Sequence, residues 1–141
     1  GNNLLDLYCG TGTIGIYLKD NYTNITGVEI VKSAIENANL NKKLNHLNNI
    51  NFILSDAKGV IATKSYDTII VDPPRSGLTK DVINNLLNSN TQKIIYTSCN
   101  YKTLKQDLTL LEKKYQVIEI TPFNMFPRTD NIECIALLEK K

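Results

Sequence analysis

A cysteine in this sequence stands where a short apolar run ends, and a thiol in that position can do covalent chemistry. Cys99 closes the run IIYTSC at residues 94–99 and is followed by Asn100 and Tyr101. A thiolate is a strong nucleophile, so Cys99 is a candidate for covalent catalysis. The alternative is that Cys99 is a small apolar side chain of the core. The remaining motifs are needed to decide between the two.

Four carboxylates stand in positions equivalent to that of Cys99. Asp6 lies in LLDLYC, Glu29 in TGVEI, Asp56 in ILSDA and Asp72 in IIVDPP, each within a few residues of the end of an apolar run. If the runs are strands of an open α/β sheet, their carboxyl ends share one edge, where such sheets bind ligands. Five polar groups at one edge predict a single site.

A glycine-rich turn separates the first apolar run from the next helical segment. The stretch DLYCGTGTIG at residues 6–15 contains Gly10, Gly12 and Gly15 in the spacing GxGxxG. Glycines permit the tight turn and a close approach of a ligand to the backbone, and the helix start offers free N–H groups. Glu29 ends the following strand, where an acid can bind ribose hydroxyls. These features alone fit a nicotinamide dinucleotide as well as another nucleoside cofactor.

Asp6 and Asp56 favour a cationic cofactor. Asp6 lies four residues before Gly10 and would repel a pyrophosphate, whereas it would attract a sulfonium. Asp56 can accept a hydrogen bond from an adenine amino group. This pattern resembles the S-adenosylmethionine-binding half of a Rossmann-like methyltransferase. The residues predicted to bind this cofactor are Asp6, Tyr8, Gly10, Gly12, Glu29, Asp56 and Asp72.

The order of apolar and helical segments predicts an α/β fold, a doubly wound and mostly parallel sheet of seven strands. The predicted strands are residues 3–9, 24–30, 50–56, 66–74, 92–99, 115–123 and 131–140. The predicted helices are residues 11–20, 31–44, 79–88 (with Thr79 as N-cap) and 103–114. The central strands are continuously apolar, which indicates burial on both faces. The last two follow each other without a helix and predict an antiparallel hairpin at one edge.

Size and composition fit one globular domain over residues 1–141, with 42% hydrophobic and 21% charged residues. The net charge of +2 is too small to argue for nucleic-acid binding by composition. No apolar run approaches the roughly 18 residues of a membrane span. The three cysteines have no metal-ligand spacing, so we expect no metal site and a reducing cytoplasmic setting.

Three further motifs follow the glycine turn in order: VDPPRSGL at residues 71–78, YTSCN at 96–100 and MFPRTDNIECIALL at 125–138. Together they resemble the catalytic domain of the RNA uracil-5-methyltransferases, which make 5-methyluridine in transfer and ribosomal RNA. The resemblance covers essentially the whole chain. It implies that Cys99 adds to carbon 6 of uracil and that Glu133 removes the proton from carbon 5. It also implies a substrate pocket lined by Asp72, Arg75 and Asn100.

The sequence departs from that family at two motifs. Tyr101 stands where the family has Pro after SCN, which leaves the rigidity of this loop open. Asn131 and Ile132 stand before Glu133, where the family often has His. The chain also begins with Gly and lacks the long N-terminal portion, often an RNA-binding module, of family members. We therefore expect a fragment that folds but methylates RNA poorly, and a monomeric complete protein that binds tRNA or 23S rRNA, without DNA or membrane.

Other interpretations stay open on the sequence alone. An RNA cytosine-5-methyltransferase shares the covalent chemistry, but such enzymes usually carry a second cysteine in the strand-four motif, where this chain has Arg75. A non-catalytic module for a nicotinamide cofactor and an inert scaffold are further alternatives. Cys9 lies inside the glycine turn, and Cys134 must point away from Glu133 on a strand, so neither is a predicted nucleophile.

Overall fold

One seven-stranded sheet organises the computed structural model, which describes residues 1–61, 64–123 and 133–141. The strands are β1 (Asn3–Leu7), β2 (Asn24–Glu29), β3 (Ile50–Leu54), β4 (Thr68–Val71), β5 (Lys93–Ser98), β6 (Tyr115–Phe123) and β7 (Glu133–Lys140). Their order across the sheet is β3-β2-β1-β4-β5-β7-β6. The first five strands are parallel, and β7 is antiparallel to both β5 and β6. The predicted fold class and the terminal hairpin are confirmed, with β6 at the edge.

Four helices and one 3-10 turn connect the strands in the described residues. The helices are α1 (Thr13–Tyr17), α2 (Lys32–Leu44), α3 (Lys80–Asn88) and α4 (Tyr101–Leu111), and the turn is Ala57–Gly59. Thr79 caps α3, because its Oγ1 accepts a hydrogen bond from the Val82 N–H at 3.3 Å. This N-cap was predicted from the sequence. In this part of the chain, no helix has the length and apolar character that a bilayer crossing requires.

The first and last helices differ from the predicted ones at both ends. The first helix spans five residues rather than residues 11–20, because the chain leaves helical geometry at Leu18. The last helix begins at Tyr101, two residues earlier than predicted. Asn100 causes this early start, since its Oδ1 accepts a hydrogen bond from the Lys102 N–H at 3.1 Å. Tyr101 therefore occupies the first helical position, where proline is also favoured.

Tyr101→Pro is expected to keep the fold and to raise the free energy of unfolding by about 0.5 kcal/mol, by restricting the unfolded chain. Tyr101 is exposed, and the preceding Asn100 has the extended backbone that a residue before proline prefers. Urea unfolding of the variant beside the parent measures the change. A large loss of stability would show that the Tyr101 side chain or its N–H contributes to the fold.

Burial on both faces is confirmed for β1 and β4, where Leu4, Leu5 and Ile69 are fully buried. In β5 the expectation is wrong, because Ile94 and Tyr96 are fully buried whereas the alternating residues of the strand are only half-buried. The buried face of β5 belongs to the large hydrophobic core that also contains residues of α3 and α4. The opposite face of β5 lies beside α1, which is too short to cover it.

Candidate active site

The glycine turn is fastened to β2 by the carboxylate of Glu29. Its Oε1 accepts a hydrogen bond from the Gly10 N–H at 3.1 Å. Its Oε2 accepts from the N–H groups of Ile30 at 2.8 Å and Val31 at 3.0 Å. Each carboxylate oxygen can accept more than one hydrogen bond, so Glu29 can also receive a ribose hydroxyl. Glu29 thus shapes the turn and presents an acceptor at the edge of the sheet.

Gly12 lets the turn pass directly over the sheet. Its φ is +82°, a conformation that side chains disfavour. A Cβ at this position would also lie 2.4 Å from Cζ of Phe52, the aromatic residue of β3. The turn therefore requires glycine at this position for two independent reasons. This requirement supports the prediction that the turn binds a ligand.

A cavity opens between the carboxyl ends of β2, β3 and β4. Tyr8, Glu29 and Asp56 line it, three of the residues predicted to bind a cofactor. Asp56 also caps the 3-10 turn, since its Oδ1 accepts from the Lys58 N–H at 3.1 Å. The other lining residues are Val28, Ile30, Ser55, Ala57, Pro74, Ser76, Gly77, Thr79 and Val82. An apolar slot with acidic acceptors at its rim suits an adenosine group.

Asp6 and Asp72 do not line this cavity. Asp6 pairs in register with Ile70 of β4, and Asp72 follows Ile70 by two residues, so both lie on the α1 face of the sheet. Asp6 is almost completely buried, and neither carboxylate oxygen makes a hydrogen bond of normal geometry in the described residues, although the Gly15 backbone N–H partly offsets the burial. The cavity and this acidic pair therefore lie on opposite faces of the sheet at the same carboxyl edge. The glycine turn lies between them.

Cys99 and Glu133 are brought together at the neighbouring strand ends. Ser98 of β5 pairs with Cys134 of β7 as the last pair of this ladder, so Cys99 and Glu133 are the residues adjoining that pair on the side of the ligand-binding edge. Cys134 points into the core and is buried, whereas Cys99 is partly exposed, as expected from strand alternation.

Electrostatics link these acidic residues into one group. Burial raises the pKa of Asp6 to about 7, and the charge of Asp72 adds to the shift. Burial and the neighbouring Glu133 raise the pKa of Asp72. A row of carboxylates that repel one another stabilises a cation placed among them. The row runs from the glycine turn to the strand end that carries Cys99.

Cys9 cannot serve as the nucleophile at neutral pH. Burial raises the pKa of its thiol to about 12, with further contributions from Asp6 and Glu29. Its Sγ lies 3.7 Å from the carbonyl oxygen of Gly10. Cys9 therefore remains a protonated packing residue, as the sequence predicted.

The shifted pKa of Asp6 predicts a pH-dependent effect of Asp6→Asn on the protein without cofactor. Because the folded pKa of about 7 exceeds the unfolded value of 3.8, the folded chain holds the proton more tightly. The contribution of Asp6 to the free energy of unfolding is fully present below the unfolded pKa and is lost as the pH rises through 7. The total loss is ~4 kcal/mol. Asn does not ionise, so the variant should match the parent at about pH 4 and exceed its melting temperature at about pH 8.

Thermal unfolding across this pH range measures the difference between Asp6→Asn and the parent. Asp20→Asn is the matched control, since Asp20 is exposed and contacts only Lys19 at 2.8 Å in the described ion pairs. A difference between Asp6→Asn and parent that stays constant with pH would contradict the raised pKa.

Arg75 lies on the loop after β4, and Asn100 fastens that loop to the start of α4. Asn100 Nδ2 and Thr103 Oγ1 donate to the Arg75 carbonyl oxygen at 3.0 and 3.1 Å. Both ends of the Asn100 amide thus form hydrogen bonds within the chain. We therefore expect Asn100 to position the loop beside Cys99, and Arg75 to contact the substrate directly. Arg75 is exposed, and its guanidinium has no ion pair in the described part of the chain. Asn131 and Ile132 lie outside the described residues.

Some residues of the site were given another role, or none, by the sequence. Pro74, Ser76 and Gly77 form a wall of the cavity, although the sequence motif suggested a substrate role for this loop. Asp107 of α4 is buried and bonds to the same loop at the Leu78 N–H. An isolated acid in a helical pattern is indistinguishable from a surface residue, so only the packing of α4 reveals it.

Two family models match the chain. The model described as tRNA (Uracil-5-)-methyltransferase matches residues 57–141, and the model described as Methyltransferase small domain matches residues 1–98. The two ranges together cover the glycine turn, the cavity and the Cys99–Glu133 pair.

Three similar proteins with closely related sequences are considerably longer than this chain. An uncharacterized RNA methyltransferase of Staphylococcus aureus (strain MRSA252) is 42% identical over 147 residues, which cover 100% of this chain and 32% of that protein. A counterpart from Staphylococcus epidermidis is 42% identical over 98% of this chain and 31% of its own length. The Pyrococcus abyssi tRNA (uracil-54, C5)-methyltransferase, solved with S-adenosyl-L-homocysteine, has a TM-score of 0.90 and 37% identity, covering 98% of this chain and 34% of that one. The chain thus spans about one third of these relatives.

Proposed function

Because the chain belongs to the tRNA (uracil-5-)-methyltransferase family, we propose that it is the catalytic domain of an enzyme that methylates carbon 5 of a uridine in RNA. The observation that carries the proposal is the register pair Ser98–Cys134 of β5 and β7, which is followed along one chain by Cys99 and preceded along the other by Glu133. A thiol and a carboxylate at neighbouring strand ends of the ligand-binding edge are the two groups that this chemistry needs. Transfer RNA is the first substrate to test, given the description of the family.

The residues present fit S-adenosylmethionine as the methyl donor. The cavity beside Glu29 and Asp56 offers acceptors for ribose hydroxyls and an adenine amino group. Asp6 holds two buried carboxylate oxygens without a hydrogen bond of normal geometry, and a nearby cation would compensate their charge. When bound, this cofactor supplies an electrophilic methyl group on a sulfonium. Asp6 and Asp72 would then stabilise that positive charge between the cavity and Cys99.

The uracil chemistry divides between Cys99 and Glu133. The Cys99 thiolate forms a bond to carbon 6, and the ring electrons shift to carbon 5, which thereby becomes nucleophilic enough to take the methyl group. Glu133 then accepts the proton from carbon 5. The electrons of that C–H bond restore the C5–C6 double bond and expel the thiolate. Without the thiolate, carbon 5 of uracil is a poor nucleophile, and without the base the adduct cannot collapse.

The target base must reach Cys99 from a single-stranded loop or by flipping out of a helix. Cys99 is only partly exposed at the end of β5, so a stacked base in a duplex cannot place carbon 6 within bonding distance. Arg75 extends from the neighbouring loop and can contact either the uracil carbonyls or a phosphate. The RNA contacts beyond this edge belong to the complete protein.

A covalent trap tests the proposal. The complete protein is incubated with S-adenosylmethionine and tRNA loops that contain 5-fluorouridine, and denaturing mass spectrometry is used to find and map an RNA–peptide adduct. Fluorine at carbon 5 does not leave as a proton does, so we expect a stable adduct on Cys99. Ribosomal RNA loops form the second arm and identify the substrate class.

Loops with 5-fluorocytidine serve as the matched control for the cytosine-5 alternative. An adduct with cytidine but not with uridine would replace the proposed substrate base. No adduct with either base, while S-adenosylhomocysteine binding is confirmed by calorimetry, would contradict the proposal.

A further inference from the structure

A buried carboxylate on α4 joins two walls of the candidate site. Asp107 is 6% exposed, and its Oδ2 accepts a hydrogen bond from the Leu78 N–H at 2.9 Å and another from the Tyr96 hydroxyl at 2.6 Å. Leu78 ends the loop that follows β4, and Tyr96 lies in β5, three residues before Cys99. One oxygen atom therefore connects the cavity wall to the strand that carries the thiol.

The loop has little freedom to move away from Asp107. Gly77 has a φ of +80°, and a Cβ there would lie 2.8 Å from Asp107 Oδ2 and 3.1 Å from Thr103 Cβ. The Gly77 N–H donates to the Pro74 carbonyl oxygen at 2.9 Å, which closes the turn. The loop backbone is thus pressed against α4 at the point where the carboxylate receives its hydrogen bond.

The strand side of the connection is equally constrained. Tyr96 is fully buried, and burial together with the Asp107 carboxylate raises the pKa of its hydroxyl. A buried hydroxyl that stays protonated must donate its hydrogen bond, and the Asp107 carboxylate is the acceptor. The Ser98 hydroxyl, two residues further, donates to the Asn100 carbonyl oxygen at 2.8 Å and accepts from the Asn100 N–H at 3.0 Å, so the chain around Cys99 is fixed to the end of β5.

We propose that Asp107 is a positioning residue, which holds the Pro74–Gly77 wall of the cofactor cavity and the Cys99-bearing end of β5 at a fixed separation. This inference rests on the proposed function, since the separation matters only if cofactor and nucleophile act on one substrate. Asp107 touches neither the cavity nor Cys99 in the described contacts, so it acts through Leu78 and Tyr96.

Three variants of the complete protein separate the two halves of the connection. Asp107→Leu removes the acceptor, Asp107→Asn keeps an acceptor oxygen, and Tyr96→Phe removes the strand bond alone. The readouts are the Kd for S-adenosylhomocysteine, by calorimetry, and the rate of adduct formation with 5-fluorouridine RNA at saturating S-adenosylmethionine. Gln106→Ala, an exposed neighbour on α4, is the matched control.

Asp107→Leu is expected to raise the Kd and slow the adduct by about tenfold each, the usual effect of losing a buried acceptor with two donors. Asp107→Asn should keep both values within about threefold, since it can still accept both bonds. Tyr96→Phe should leave the Kd within about twofold but slow the adduct by about fivefold or more. The control should match the parent.

Wild-type Kd and adduct rate in a folded Asp107→Leu protein would overturn the proposal, and so would equal losses in Asp107→Asn and Asp107→Leu. If Asp107→Leu does not fold, Tyr96→Phe tests the proposal instead. A parental adduct rate in Tyr96→Phe would contradict a positioning role of the Asp107–Tyr96 hydrogen bond. If the parent forms no adduct, the proposed function fails. The Kd values of Asp107→Asn and Asp107→Leu for S-adenosylhomocysteine still test whether the Asp107–Leu78 hydrogen bond positions the cavity wall.

Discussion

Cys99→Ala in the complete protein is expected to reduce 5-methyluridine formation by about 10⁴-fold or more, because no other group supplies the bond to carbon 6. Binding of S-adenosylhomocysteine should stay within about twofold of the parent, since Cys99 does not line the cofactor cavity. Nucleoside analysis of modified tRNA measures the product, and mass spectrometry measures the loss of the 5-fluorouridine adduct.

Cys134→Ala is the matched control for the loss of a thiol. Cys134 pairs with Ser98, the residue before Cys99, but its side chain points into the core. We expect the control to retain the adduct and turnover, with a lower melting temperature from the small cavity. Parental turnover in Cys99→Ala, or loss of the adduct in the control alone, would reject Cys99 as the nucleophile.

Glu133→Gln is expected to lower turnover by about 10²- to 10³-fold and to let a covalent adduct accumulate on unmodified uridine RNA. Gln has the shape of Glu but cannot take the carbon-5 proton, so the methylated ring stays bonded to Cys99. This outcome separates the base from the nucleophile, because removing the nucleophile leaves no adduct at all. Denaturing electrophoresis of the protein–RNA mixture at successive times measures the accumulation.

The double variant Glu133→Gln with Cys99→Ala should show no adduct. Glu139→Gln is the matched control, since Glu139 lies on the same face of β7 but pairs with Lys93 at the far end of β5. Parental turnover in Glu133→Gln would exclude Glu133 as the base. Reduced turnover without accumulation would place its role before the covalent step.

The local sequence pattern was enough to predict which strand ends carry the polar side chains that could do chemistry. Asp6, Glu29, Asp56, Asp72 and Cys99 could be assigned to one edge because parallel strands end together, and period-two alternation separated Glu133 from Cys134. The Thr79 cap and the glycine turn were also readable, since both depend on neighbouring residues. These features depend on hydrogen bonds and sterics within a few residues.

Contacts between distant segments decided the rest. The Asn100 cap moved the start of α4, and the short α1 left one face of β5 half-buried, although Ile95 on that face is apolar. Asp107 joins residues 29 and 11 positions away, a separation that no local pattern encodes. Sequence alone determined which chemical groups this protein brings to the edge of its sheet. Tertiary packing decided which of them line the cavity, which face Cys99 and which only hold the others in place, because side-chain partners depend on how the elements meet.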